Sequence, residues 1–193
     1  MPASPPPESL AGLSLDTIAA LAAEGRLPPV GQWNPPHCGD SGMRILADGR
    51  WLHEGRPIQR PALVRLFSTI LRREADGSHV LVTPVEKLSI MVEDAPFLAV
   101  EMTSEGAGER RRLAFRTNVG DMVVAGRDHP LVIEDRGAGE QPYLRVRGGL
   151  DALIARPVYY ELAHLALDEP PGPGGAIGLW SDTIFFAFGR PEA

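Results

Sequence analysis

The sequence predicts an α+β fold made largely of antiparallel strands, on three observations. Short apolar, β-branched runs separated by turn residues fill most of residues 79–147. Two longer segments, "PALVRLFSTILRRE" and "LDALIARPVYYELAHLALD", carry apolar residues at helical spacing. Asp48-Gly49, set between the alternating runs of "MRILADGRWLHEG", is the strongest short hairpin signal a sequence offers. With 193 residues, 44% of them hydrophobic, the chain can bury one sizeable core or two small ones.

The elements follow in order. Ser14 caps a helix through "LDTIAALAAEG", with Leu15, Ile18, Ala19 and Ala22 on one stripe and Gly25 as its stop. Between Leu27 and Gly42 four prolines and three glycines favour an irregular loop, anchored by Trp33. The Asp48-Gly49 hairpin comes next, and Pro61 then opens a helix in which Leu63, Leu66, Phe67, Ile70 and Leu71 recur. "HVLVTP", "KLSIMVED", "PFLAVEMTSE" and "RRLAFRTN" read as strands, followed by "LVIED" and "YLRVRG". The second long helix starts after Pro157 or bends there. The linker "EPPGPGG" leads to a last hairpin, "AIGLWSDTIFFAFG". A weak repeat runs through these elements: strand, aromatic strand, arginine, helix and two strands occur at residues 43–94 and again at 131–188.

Composition limits the function. A formal net charge of -6 supplies no general attraction to nucleic acid or anionic lipid, so any anion site is local. The opening "MPASPPPESL" has no signal-peptide character, and Arg156, Pro157, Glu161 and His164 interrupt the most apolar segment. A soluble, cytoplasmic protein is the expectation, with the single Cys38 precluding an internal disulfide.

"QWNPPHCGD" holds His37, Cys38 and Asp40, all metal-competent, yet adjacent side chains diverge in extended backbone and no second His/Cys pair closes a site. No metal is expected, and Cys38 reads as a small apolar filler. Glu86, Lys87, Glu93 and Asp94 flank the strand "KLSIMV" as turn chemistry or as acid/base candidates. Arg110 to Arg112 read as a solvated strand entry. Arg116, followed by Thr117 and Asn118, suits phosphate or carboxylate recognition, as do Arg60 and Arg147 near the helix starts, with salt bridges as the plain alternative. The Gly-rich phosphate loop, HExxH and Gly-x-Ser-x-Gly are all missing, so no catalytic set is expected and no cofactor is implied.

Across residues 28–189 the blocks "WNPPHCGD", "MRILADGRWLHEGRPIQRPALVRLFSTILRRE", "HVLVTPVEKLSIMVEDAPF", "FRTNVGD", "YLRVRGGLDALIARPVYYELA" and "LWSDTIFFAFG" resemble the bacterial domain-of-unknown-function family 1285. The resemblance implies two antiparallel-sheet halves from a duplicated strand-helix-hairpin motif, the C-terminal half superficially like a pleckstrin-homology barrel. Boundaries are expected at 1–27 for the arm and first helix, 28–84 for an N-terminal α+β domain and 85–193 for a β-rich domain with the long helix and final hairpin. It also implies a non-enzymatic binding protein of regulatory or signalling role, whose ligand site lies between the halves and takes a nucleotide-like or other anionic small molecule. Arg60, Lys87, Arg116 and Asn118 are the expected contacts, joined by Trp33 as a stacking surface and by Asn34 and Arg147. The alternatives are a protein-protein interaction module, or a hydrolase or redox enzyme using Cys38.

Overall fold

The computed structural model describes residues 27–189, except for the side chain of Cys38. The helix expected over "LDTIAALAAEG", the arm before it and the expected burial of Cys38 lie outside the described residues. Two compact units emerge. The first comprises the described chain up to Ile45 and Arg50–Val92; the second comprises Leu46–Gly49 and the chain from Glu93 onward.

In the first unit the elements are β1 (His37–Ile45), β2 (Trp51–His53), β3 (Arg56–Pro57), α1 (Pro61–Thr69), β4 (Leu71–Arg73), β5 (His79–Val82) and β6 (Lys87–Val92). They form one six-stranded sheet in the order β3-β2-β1-β6-β5-β4. β1 and β6 run parallel at its centre, and every other neighbouring pair is antiparallel. Strand alternation puts Ile45, Trp51, Leu71, Leu81 and Ile90 on one face, and all five are buried.

Three expectations change here. The helix predicted to reach Glu74 stops at Thr69, because the Ile70 N–H closes back on the Phe67 and Ser68 carbonyls and Leu71–Arg73 pairs with β5 instead. The loop expected between Leu27 and Gly42 is from His37 onward part of β1, since Gly39 and Gly42, at φ +128° and +66°, let the strand bulge without breaking. The boundary expected after residue 84 falls after Val92, because β6 completes the first sheet between β1 and β5.

In the second unit β7 (Phe97–Glu105), β8 (Arg112–Thr117), β9 (Met122–Val124), β10 (Leu131–Asp135), β11 (Glu140–Arg147) and β12 (Leu150–Ile154) form a second six-stranded sheet. Its order is β10-β11-β12-β7-β8-β9, with β12 and β7 parallel at the centre. Numbered from its own first strand, it repeats the order of the first sheet. The chain continues through α2 (Arg156–Leu167), which buries Val158, Leu162 and Ala166, to the hairpin β13 (Ile177–Ser181) and β14 (Ile184–Gly189). α2 packs against β13 and β7.

Of the two readings of the second long helix, a start at Pro157 and a bend there, the first holds: the helix begins at Arg156 and residues 150–154 are a strand. Gly148 and Gly149 both take positive φ and fold the chain into the β11–β12 hairpin, and Pro157 then sits in the first turn of α2. β12 therefore stands between Arg147 and the helix, so Arg147 is not near a helix start. β9, three residues long, gave no periodic signal. The final hairpin forms as expected, turning through Asp182 and Thr183 at φ 48° and 66°. No helix among the described residues is long and apolar enough to cross a membrane.

Candidate functional site

The parallel seam between β1 and β6 shapes a concave surface of the first unit. Asp40 stands opposite Ser89 and Arg44 opposite Met91, so β1 uses four steps where β6 uses two. The surplus is held by side chains in place of ladder bonds. Asp40 Oδ1 accepts the Gly42 N–H at 2.9 Å, and Ser41 Oγ donates to the Ser89 carbonyl at 2.7 Å while accepting the Met43 N–H at 3.1 Å. Ser89 Oγ in turn donates to the Gly39 carbonyl at 3.3 Å.

This bulge opens a cleft of about 490 Å³ lined by Asp40, Gly42, Met43, Arg44, Leu52, Gly55, Ser89, Ile90 and Met91. Gly42 and Gly55 bring no side chain to it, and Met91 is 53% exposed, large for an apolar residue in mid-strand. A second cleft of about 480 Å³ is lined by His37, Glu74, Ala75, Asp76, Ser78, Val80, Lys87 and Ser89. Ser89 belongs to both. Volumes of this order suit a small organic ligand.

The second cleft carries the charge. Arg72 Nη2 lies 2.7 Å from Glu74 Oε1, and its Nη1 donates to the Val30 and Trp33 carbonyls at 2.8 and 2.6 Å. Lys87 Nζ stands 3.5 Å from Glu74 Oε2. Two cations thus share the Glu74 carboxylate, and Asp76 in the same lining brings the fixed charges around the cleft into balance. Asp76 is turned to its own loop: its carboxylate accepts the Ser78 N–H and hydroxyl at 2.9 and 2.6 Å, which hold its pKa below the ordinary value. Among the described residues no three His, Cys, Asp or Glu side chains cluster tightly enough to hold a metal ion.

The sequence-selected residues divide between the units. Lys87 lines the second cleft, and Trp33, half-buried, lends its carbonyl to Arg72. Asn34 and Arg60 are exposed, Arg60 as the N-cap residue of α1 without a capping side-chain bond. In the second unit Arg116 pairs with Glu101 at 2.6 Å on an exposed strand face. Asn118 is structural: its Oδ1 accepts the Leu98 N–H at 3.0 Å and its Nδ2 donates to the Gly49 carbonyl at 3.2 Å. Arg147 donates to Asp121 at 3.0 Å and lies 4.8 Å over the Phe97 ring. Burial lowers its pKa, against the pull of Asp121. Within neither unit do these side chains converge on one hollow. Arg111, expected as solvated strand entry, is buried and bonds Ser104 and Glu169.

Several residues central to the geometry carried no sequence signal. Arg72 and Glu74 looked like the polar end of a helix, and Ser89 like one polar position in an apolar strand. In the second unit the buried Asp151 carboxylate joins Arg136 at 2.8 Å to Arg145 at 2.5 Å, and the Arg136 guanidinium lies 3.7 Å over the Tyr143 ring. The Tyr143 hydroxyl donates to Asp94 at 2.8 Å. Burial first, and that hydrogen bond second, raise the phenol's pKa.

Comparison with known proteins agrees with this two-unit layout. No curated protein matches the chain. Residues 28–95 match "Domain of unknown function (DUF1285), N-terminal domain" and residues 96–188 match "Protein of unknown function (DUF1285), C-terminal domain". A crystal structure of a DUF1285 family protein from Silicibacter pomeroyi DSS-3 is similar at 46% identity and a TM-score of 0.77, covering 85% of this chain and 88% of that one. Another, from Shewanella baltica OS155, is similar at 27% identity and a TM-score of 0.51, covering 63% of this chain and 90% of that one. The two matched segments meet within a few residues of the division between the units, and together they show that the chain belongs to the DUF1285 family.

Proposed function

We propose that this protein is a binding protein without catalytic chemistry, and that its ligand is a small molecule with an anionic group on a flatter, less polar body, as in a nucleotide. The observation that carries the reading is the meeting of two unlike clefts at Ser89. One offers Lys87 and His37 beside the Ser89 hydroxyl, with Glu74 engaged by Arg72 and Lys87 and Asp76 by Ser78, and suits a phosphate or carboxylate. The other offers Leu52 and Met91, which suit the face of a ring, with the Asp40 carboxylate to receive hydroxyl or amino hydrogens. A ligand bridging them takes up both characters at once, and a regulatory or signalling role follows from binding without turnover. The shared strand order of the two sheets supports an origin by duplication.

Thermal unfolding against nucleoside mono-, di- and triphosphates and common carboxylate metabolites tests this. At about 100 times its dissociation constant a true ligand adds roughly 2.7 kcal/mol of stability. Lys87→Gln should weaken the anionic end, and Met91→Asp the apolar end, each by about tenfold. No stabilisation by any compound, or stabilisation indifferent to both substitutions, rejects the site.

A further inference from the structure

The net charge conceals a strong asymmetry. Among the described residues the first unit carries eight Lys and Arg against five Asp and Glu, and the second unit nine against sixteen. The second unit's arginines are largely answered within it: Arg111, Arg116, Arg136, Arg145 and Arg147 each meet a carboxylate. In the first unit Arg72 and Lys87 are answered by Glu74, whereas Arg56, Arg60 and Arg65 are exposed and make no ion pair among the described residues. The first turn of α1 brings no acidic residue to them, and Glu54, the nearest acid in sequence, does not pair with them either.

The three arginines sit on one short and stiff segment, "RPIQRPALVR". Arg56 lies on β3, the edge strand of the sheet, Arg60 caps α1 and Arg65 stands on its exposed side. Pro57 and Pro61 each follow an arginine and hold its backbone extended; Arg60 takes φ -90° and ψ 109°. Four extended steps and five helical ones keep the outer two Cα atoms within about 20 Å of each other. The cations are therefore pre-positioned, which lowers the ordering cost of engaging a partner.

We infer that the Arg56–Arg60–Arg65 surface is a docking site for an acidic segment of another protein. The guanidinium fork matches carboxylates in pairs, and a short Asp/Glu-rich stretch spans about 20 Å without reaching further. An extended polyanion fits less well, because nucleic acid or an anionic bilayer also meets the chain's formal net charge of -6.

The test uses the full chain and a fluorescein-labelled deca-glutamate peptide in 50 mM salt, read by anisotropy. Binding should weaken about tenfold between 50 and 300 mM salt. It should weaken by a further tenfold or so in R56Q/R60Q/R65Q, and about twofold in Arg60→Gln and Arg65→Gln taken singly, which keep the test usable if the triple variant folds poorly. Replacing the exposed Arg110, Arg112 and Arg127 of the second unit should leave binding unchanged. Absence of peptide binding, or equal binding by the R56Q/R60Q/R65Q variant, overturns the inference. So does tighter binding to a ten-nucleotide DNA strand or to vesicles with a third phosphatidylserine, which transfers the surface to another class of partner.

Discussion

The two units carry sheets of the same strand order and use them in opposite ways. In the second, α2 packs against β7 and β13, burying Leu162 with Leu179 of β13. A lattice of arginines and carboxylates around Asp151 and Tyr143 closes over side chains that would otherwise face water. In the first, one sheet face is a packed core, while the other keeps Lys87, Ser89 and Met91 in alternation along β6 and opens into two clefts. One topology thus gives a body that answers most of its arginines with its own carboxylates and a sheet face that leaves polar and apolar groups open to clefts. Strand order fixes neither outcome; the side chains on each face do.

That contrast can be broken, and the largest expected effect lies in the hairpin of the second unit. A Cβ at Gly178 would collide with the Phe186 carbonyl, so Gly178→Ala should cost about 3 kcal/mol or more and separate β13 from β14. Chemical denaturation reads this, and an unchanged midpoint would mean that the hairpin contributes little. Next comes Asp151→Asn, which leaves Arg136 and Arg145 without their common buried carboxylate. A loss of about 3 kcal/mol is expected, and a loss below 1 would show that the lattice closes nothing.

Tyr143 offers a smaller effect with a pH signature. Its raised pKa means the folded state holds the phenol proton more tightly than the unfolded chain. The resulting stability is complete below the unfolded value of 10.0 and is lost as pH rises beyond it. Tyr143→Phe, which removes the bond to Asp94, should cost about 1 kcal/mol at pH 7 and flatten the alkaline decline. A decline that persists unchanged would assign it to other groups. The smallest effect is predicted for Arg116→Gln, under about 0.5 kcal/mol, since Arg116 and Glu101 are roughly half exposed. A larger loss would show that even the outer charges of the second unit are structural.

The candidate site was only partly legible. Lys87 was an expected contact through the family resemblance, and it lines a cleft. Arg116, chosen for the Thr117 and Asn118 beside it, and Arg147, chosen as near a helix start, are paired with Glu101 and Asp121, because a sequence shows a cation without showing which acid the fold brings to it. Asn118 looked like a recognition amide and instead satisfies the backbone at Leu98 and Gly49, the latter 69 residues away. Ser89 was invisible, since its role depends on a parallel partner strand that lies 48 residues back.

Local chemistry determined the α+β class, the Asp48-Gly49 and Asp182-Thr183 turns, the start of α1 at Pro61 and the spacing of most strands. Turns, caps and apolar periodicity act over a few residues, so the order of letters expresses them directly. Tertiary structure alone decided the parallel seams β1–β6 and β7–β12, the conversion of residues 71–73 from helix to strand, the strand over residues 150–154, and the partner of each charge. These depend on which distant backbone offers hydrogen bonds and which distant carboxylate stands within reach, and pairing at long sequence separation overrides a local propensity worth only tenths of a kcal/mol per residue.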